Sequence, residues 1–301
     1  MVFLKKICYI IIVLLVILPI PTGFAQLSIG EPAFQKSVII TINEQGEVHV
    51  THKIQDSKNP VHIDAIEGTL SNLKVVDIDG NNVEYGTSGI GNTTGITIFP
   101  SDTDVIIEYD LNDVIFLNDG IWTWNFLYLQ TTTFILPEGL DLVYVNDNPV
   151  MLENAKGITC HGCDAKIEYV LDEQIKIHQI QWENKIFDIG TRTTEISSLN
   201  FNQTTKSISF DVERGNQLKT LIIPLELLWN PYEVFLDDEQ ILKHEFFSNE
   251  THAWLSIRPE SSGTIKIVGT TVIPEFPIIV PLFIGIAIVI GLQLKNKINL
   301  H

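Results

Sequence analysis

The chain has 301 residues, 45% of them hydrophobic, and its 19 Lys and Arg are outnumbered by 37 Asp and Glu, for a formal net charge of −18. A field of that sign repels phosphate backbones and anionic lipid headgroups, which excludes nucleic acid as a partner. It suits a solvated outer surface, or one that gathers cations.

Taken in chain order, residues 1–25 open with Lys5 and Lys6, continue through an apolar stretch from Ile7 to Ile20 broken by Pro19, and end on Gly23-Phe24-Ala25. This three-part grammar of charge, apolar core and small residues predicts a secretory signal peptide removed before Gln26. The apolar core, roughly 21 Å long as a helix, is short for a bilayer core of about 30 Å. Setting aside Lys5, Lys6, Lys295 and Lys297 leaves 15 of the 19 cations, and setting aside Glu275 leaves 36 of the 37 acids, so the exported part carries a formal charge of −21. Its length allows one large or two ordinary domains.

From residue 38 onward, short apolar/polar alternations separated by turn residues predict an all-β fold. In "KSVIITINEQGEVHVTHKI", Val38, Ile40 and Ile42 alternate, a turn containing Gly46 intervenes, and Val48, Val50 and Ile54 resume, which spells a hairpin. "LKVVDIDGNNVEYG" turns around Asp79-Gly80, and "GITIFPSDTDVIIEYDL" supplies two strands. "GIWTWNFLYLQTTTFILPEGLDLVYV" reads as one long strand and two shorter ones, and "AKIEYVLDEQIKIHQIQW" as a final pair. Polar "TRTTEISS" at 191–198 marks a seam, beyond which "SISFDV", "LKTLIIP", "YEVFLDD", "HAWLSIRP" and "TIKIVGTT" restart the pattern. The expectation is two β-sandwich-like domains, 26–190 and 196–272.

The chain then passes through Pro274-Glu275-Phe276-Pro277 into an uncharged apolar run at 278–294, closed by Lys295 and Lys297. That length is at the lower limit for a transmembrane helix, and the closing lysines suit its cytoplasmic end. The segments "SSLNFNQTTKSISFDV", "LIIPLELLWNPYEVFLDDEQI" and "SNETHAWLSIRPESSGTIKIVGTTVIPEFP" resemble, in that order, the membrane-proximal module and tail of archaeal exported surface proteins that end in a PEF-type sorting signal. The resemblance covers about a third of the chain. It implies that 274–297 is a sorting signal recognised through Pro274, Glu275 and Phe276 by an archaeosortase, a membrane transpeptidase that moves its substrate to a surface anchor. Pro277 departs from the branch found in ammonia-oxidising archaea, which has glycine there, and simple anchoring in the membrane is the alternative to cleavage.

Candidate functional residues are few. Cys160 and Cys163 in "ITCHGCDAK", with His161 between them, can be read as a small disulfide across a turn, half of a soft-metal site for copper or zinc, or a redox pair. No second pair completes a four-ligand set. Asn92, Asn202 and Asn249 head Asn-x-Thr triplets that would accept N-glycans on an exported surface. Trp122 and Trp124 share one strand face, as core aromatics or as a platform for sugars. His49 and His52 fall on opposite faces of a strand and make a poor ligand pair. In "DIDGNN", Asp77, Asp79 and Asn81 fit a hairpin turn better than a calcium loop, since Gly80 is misplaced and no glutamate closes the motif. No nucleophile elbow, phosphate loop or zinc-protease helix is present. The sequence therefore predicts a non-enzymatic cell-surface protein without cofactor, structural or adhesive, whose partners are the membrane, an archaeosortase and other envelope proteins or glycans. The alternative is a surface protein that binds a ligand or metal through the CHGC loop or the tryptophan pair.

Overall fold

The computed structural model describes residues 30–270, apart from 91–92, 154, 172–173, 183 and 193–195, together with Ile286 and Ile288. Among the described residues the chain is nearly all β. The predicted signal peptide, the sorting motif and all of the predicted span 278–294 except Ile286 and Ile288 lie outside the described residues. Among the described residues no helix is long and apolar enough to cross a membrane.

The first half supplies β1 (Glu31–Pro32), β2 (Gln35–Ile42), β3 (Val48–Ile54), β4 (Val61–Asp64), β5 (Thr69–Asp77), β6 (Tyr85–Ile90) and β7 (Thr93–Ile98). It continues with β8 (Val105–Asn112), β9 (Phe116–Asn118), β10 (Ile121–Ile135), β11 (Leu142–Val145), β12 (Asn148–Met151) and β13 (Gly157–Tyr169). One sheet runs β1-β4-β7-β6; the other runs β12-β11-β13-β10-β2-β3-β8-β5, with β9 on β10. Side chains from both sheets, among them Ile40, Val50, Ile63, Ile96, Ile107 and Phe126, share one core. The reason is period-two burial: in β8 every second residue from Val105 to Leu111 is buried, so one face of the strand is apolar and the other polar. The β2–β3 hairpin forms as the alternation predicts. Its turn requires glycine, because Gly46 has φ +77° and a Cβ there would lie 2.3 Å from the Trp122 ring. The turn at Asp79-Gly80 closes a short antiparallel pairing, with Val76 opposite Asn82 and the Val83 amide donating to the Val75 carbonyl at 3.1 Å, before the chain leaves it: β5 pairs with β8 and β6 pairs with β7 in the other sheet.

The second half supplies β14 (Lys176–Trp182), β15 (Lys185–Arg192), β16 (Ser197–Asn202), β17 (Ser207–Val212), β18 (Lys219–Pro224), β19 (Glu233–Leu236), β20 (Glu239–Gln240), β21 (Lys243–Ser248), β22 (His252–Ile257) and β23 (Gly263–Val268). Two sheets, β14-β15-β18-β22-β21 and β16-β17-β23-β19-β20, enclose a second core around Ile189, Phe210, Leu221, Val234, Leu255 and Ile267. Here the structure departs from the predicted boundary. β15 pairs with β18, and Ile180, Phe187 and Ile189 enter the second core, so the seam falls between β13 and β14 rather than at 191–198. The two strands read in "AKIEYVLDEQIKIHQIQW" both form, as the end of β13 and as β14, and their partners are β10 for β13 and β15 for β14.

Leu142 and Tyr144 of β11 pack with Leu218 to join the two halves, flanked by Met151 and Phe246. The Tyr144 hydroxyl lies 2.6 Å from Thr220 Oγ1. Charged contacts frame this apolar centre: Arg192 reaches Asp141 at 2.6 Å, and Arg258 reaches Asp147 at 2.9 Å and Glu168 at 2.5 Å.

Candidate functional site

The longest described strand, β10, pairs with β13 through a register shift between Tyr128 and Thr131, and the sequence-predicted cysteines sit on β13 beside it. Along β13, Cys163 lies opposite Tyr128, His161 opposite Thr131 and Cys160 opposite Thr132. Leu129 and Gln130 thus face the single residue Gly162, which is a β-bulge. Such bulges re-aim side chains and break pairing locally. Gly162 has φ +68°, and a Cβ on it would approach the Leu129 carbonyl oxygen to 2.6 Å, so only glycine fits. Cys160 and Cys163 form a disulfide with Cα atoms 6.0 Å apart. The clip lies within strand β13 beside the bulge, not across a chain-reversing turn as the sequence reading has it. His161 is exposed, with Nδ1 3.4 Å from Thr131 Oγ1. The disulfide engages both thiol sulfurs, and no group of three or more His, Cys, Asp or Glu suited to a metal occurs among the described residues.

The opposite flank of β10 opens a cleft. On that side β10 pairs with β9 over Ile121–Thr123 and with β2 over Thr132–Ile135. Among the described residues, no strand pairs with Trp124–Thr131 on this flank. Leu127–Gln130 instead form one wall of a cavity of ≈ 440 Å³, whose other walls include Ala33, His62, Asp64 and Glu67. Leu129 is 83% exposed and Leu127 54% exposed, both on the outer face of β10, with Phe34 67% exposed nearby in the chain segment that lines the cavity.

Beneath the cleft runs a chain of hydrogen bonds. Tyr128 Oη donates to the Asp64 carbonyl at 3.0 Å and accepts from Gln35 Nε2 at 3.0 Å. Gln35 Oε1 accepts from His52 Nδ1 at 2.8 Å, and His52 Nε2 accepts from the Tyr109 hydroxyl at 2.8 Å. That hydroxyl in turn accepts from the Ile66 amide at 3.0 Å. Every member is satisfied with His52 neutral and its proton on Nδ1. Burial holds the His52 imidazole down to about 4 and pushes the Tyr128 phenol up to about 12, because desolvation disfavours both charged forms. The two sheets of the first core are thereby bolted together below the cleft floor.

A second concavity, of ≈ 540 Å³, contains His49, Ser71, Asn72 and Asp110. His49 Nδ1 is 2.8 Å from Asp110 Oδ1, and Asn72 donates to Asp110 Oδ2 at 2.7 Å. The Asn72 contact first, and His49 second, hold the Asp110 carboxyl below the usual range. The three residue types of a hydrolytic triad stand in one row, but in an order that prevents the chemistry. Asp110 is the cross-strand partner of both His49 and Ser71 and lies between them. Ser71 Oγ accepts from Asn112 instead of facing the imidazole, so no base is placed on the hydroxyl.

The remaining sequence-predicted residues are dispersed. Trp124 is a core residue, 2% exposed and edge-on to Phe126 and Phe134, and Trp122 is half-buried against Tyr169, so the pair offers no open stacking platform. His52 faces inward and His49 outward, as period two requires. Asp77 Oδ1 accepts from the amides of Asp79 and Asn81, which makes "DIDGNN" a turn. Asn202 and Asn249 are exposed, and Asn92 lies outside the described residues. The cleft at β10 was not foreseen: its only sequence sign is "LYLQTTT", where two leucines fall on the face that alternation assigns to solvent.

No protein-family model matches the chain, and no curated protein matches it significantly. Among solved structures the chain is similar to an aminopeptidase N family protein from Idiomarina loihiensis, at 9% identity and a TM-score of 0.32, over 50% of this chain and 32% of that one. The likeness thus spans about a third of that protein's length, and at this level it carries no argument about fold or activity.

Proposed function

We propose that the protein is a non-enzymatic constituent of a cell surface, structural or adhesive, built of two β-sandwich-like domains and tethered by its C-terminal tail. One observation carries this reading. An uncharged run at 278–294, flanked by Pro274-Glu275-Phe276-Pro277 before it and Lys295 and Lys297 after it, follows an acidic all-β body. Transfer of such a run from water into lipid is strongly favourable, which would hold the body on the side opposite the lysines. A disulfide at Cys160–Cys163 is in keeping with an oxidising exterior. The exposed Asn202 and Asn249 are open to glycan addition, and Pro274, Glu275 and Phe276 would present the tail to an archaeosortase.

The test is the intact mass of the native protein recovered from membrane and soluble fractions. Loss of residues 1–25, recovery with the membrane or as a species shortened near residue 274, and added glycan mass are expected. A full-length chain beginning at Met1, free in the cytosol, would reject the reading.

A second reading, a surface-displayed ligand-binding protein, is favoured by the cleft beside β10. It does not rest on a metal at Cys160, His161 and Cys163 or on the tryptophan pair, given the disulfide and the buried Trp124.

A further inference from the structure

We infer that the free flank of β10 is a strand-addition site for an extended, lysine- or arginine-bearing segment of a partner protein. The inference goes beyond the surface-protein reading and stands whichever compartment holds the chain. Three features of the cleft converge on it.

The first is backbone. β10 is saturated by β13 on one flank, yet among the described residues it has no strand partner at Trp124–Thr131 on the other. A strand in mid-sheet with an open flank is a template for main-chain hydrogen bonding by another extended chain. Leu127–Gln130 expose this flank to a cavity of ≈ 440 Å³, and four residues of strand run roughly 13 Å. The second is side-chain contact. Leu127 and Leu129 stand exposed at alternate positions of β10, and alternate residues of an added strand would meet them. The third is charge. Asp64 and Glu67 line the cavity, both exposed, and no Lys or Arg does. Asp64 has His62 Nε2 at 3.2 Å, and the lining leaves room for a cationic side chain against these carboxylates. The protein's overall excess of acid would draw such a segment in.

The cleft floor is pre-organised. Tyr128 is held by Asp64 and Gln35, and the Cys160–Cys163 clip lies on the strand behind the bulge. A partner strand therefore meets a wall that need not be ordered on binding.

The test uses the purified full-length chain in detergent micelles and a fluorescent hexapeptide of alternating valine and lysine with blocked ends. Fluorescence anisotropy should show saturable binding that weakens as salt rises. A valine–glutamate peptide, and a version with two central prolines that cannot pair, should bind at least tenfold more weakly. Asp64→Asn with Glu67→Gln should weaken the lysine peptide about fivefold, and Leu127→Ser with Leu129→Ser about tenfold. Because these side chains are exposed, melting temperatures should stay unchanged, which separates lost binding from lost fold. Hydrogen exchange should show new amide protection within 124–131 on binding. No binding, equal binding of all three peptides, indifference to both double variants, or protection confined elsewhere would each overturn the inference.

Discussion

At the scale of single residues, His52 shows how a buried base ties stability to pH. Burial holds its imidazole down to about 4, below the ordinary histidine value of 6.5, so the unfolded chain binds the extra proton first as pH falls. The sign follows: stability is fully present above pH 6.5 and is lost as pH drops through the window toward 4. The full shift is worth about 3 kcal/mol. Thermal melts should therefore decline between pH 7 and 5, before most carboxylates titrate, and His52→Gln should flatten that decline, although it lowers the melting temperature at pH 7 by breaking the Gln35–Tyr109 relay. A decline of equal slope in the variant would remove His52 as its source. Gly162 makes a separate residue-scale case. Its left-handed backbone costs any other residue about 1–2 kcal/mol, and the Leu129 carbonyl stands where a Cβ would go. Gly162→Ala should cost at least that much in urea denaturation, whereas Gly120→Ala, whose Cβ would meet open space at a similar φ, should cost the backbone term alone.

At the scale of elements, the Cys160–Cys163 clip closes only four residues, and chain entropy for so small a loop gives about 2 kcal/mol. Reduction, or Cys160→Ser with Cys163→Ser, should lower stability by about that amount and raise amide exchange in β13 and in the bulge at Leu129–Gln130; unchanged exchange there would mean the bulge holds without the clip. The elements also show what could be read beforehand. β2 and β3 were legible because Val38, Ile40 and Ile42 alternate and the partner strand follows within a few residues. β10 was legible as one long strand for the same reason. The placement of β14 was not: "KIHQIQW" carries a strand pattern, but its pattern does not say whether β13 or β15 will be its neighbour, and the short β14–β15 connection won over the longer one from β13. The bulge escaped notice because Gly162 reads, between two cysteines, as a turn residue. The free flank of β10 could not be seen at all, since an unpaired edge depends on where β2 and β9 stop pairing and not on the composition of β10.

At the scale of the whole molecule, two cores of nearly independent packing are joined by a small apolar patch and a ring of ions. In a protein of net charge −18, adjoining halves repel unless cations are placed between them, and Arg192 and Arg258 occupy that position. Glu168 is 4% exposed and depends on Arg258 and on Lys166 at 3.0 Å. Removing Arg258 strands a buried carboxylate with one partner and releases Asp147 and the Asn216 carbonyl as well. Breaking a buried pair in this way costs about 3 kcal/mol, and the cost falls on the joint, not on either core. Arg258→Ala should therefore split the calorimetric unfolding of the chain from one transition into two, one for each core, with the splitting reduced in Glu168→Gln, where the buried group is neutral and still accepts a hydrogen bond. A joint that did not couple the halves would give two transitions already in the wild-type chain; one that drew its strength from Leu142, Tyr144 and Leu218 alone would leave Arg258→Ala with a single transition. Under the proposed surface role, a rigid joint would transmit force from the outer half to the tail, and the number of transitions would then measure how well the two halves act as one body.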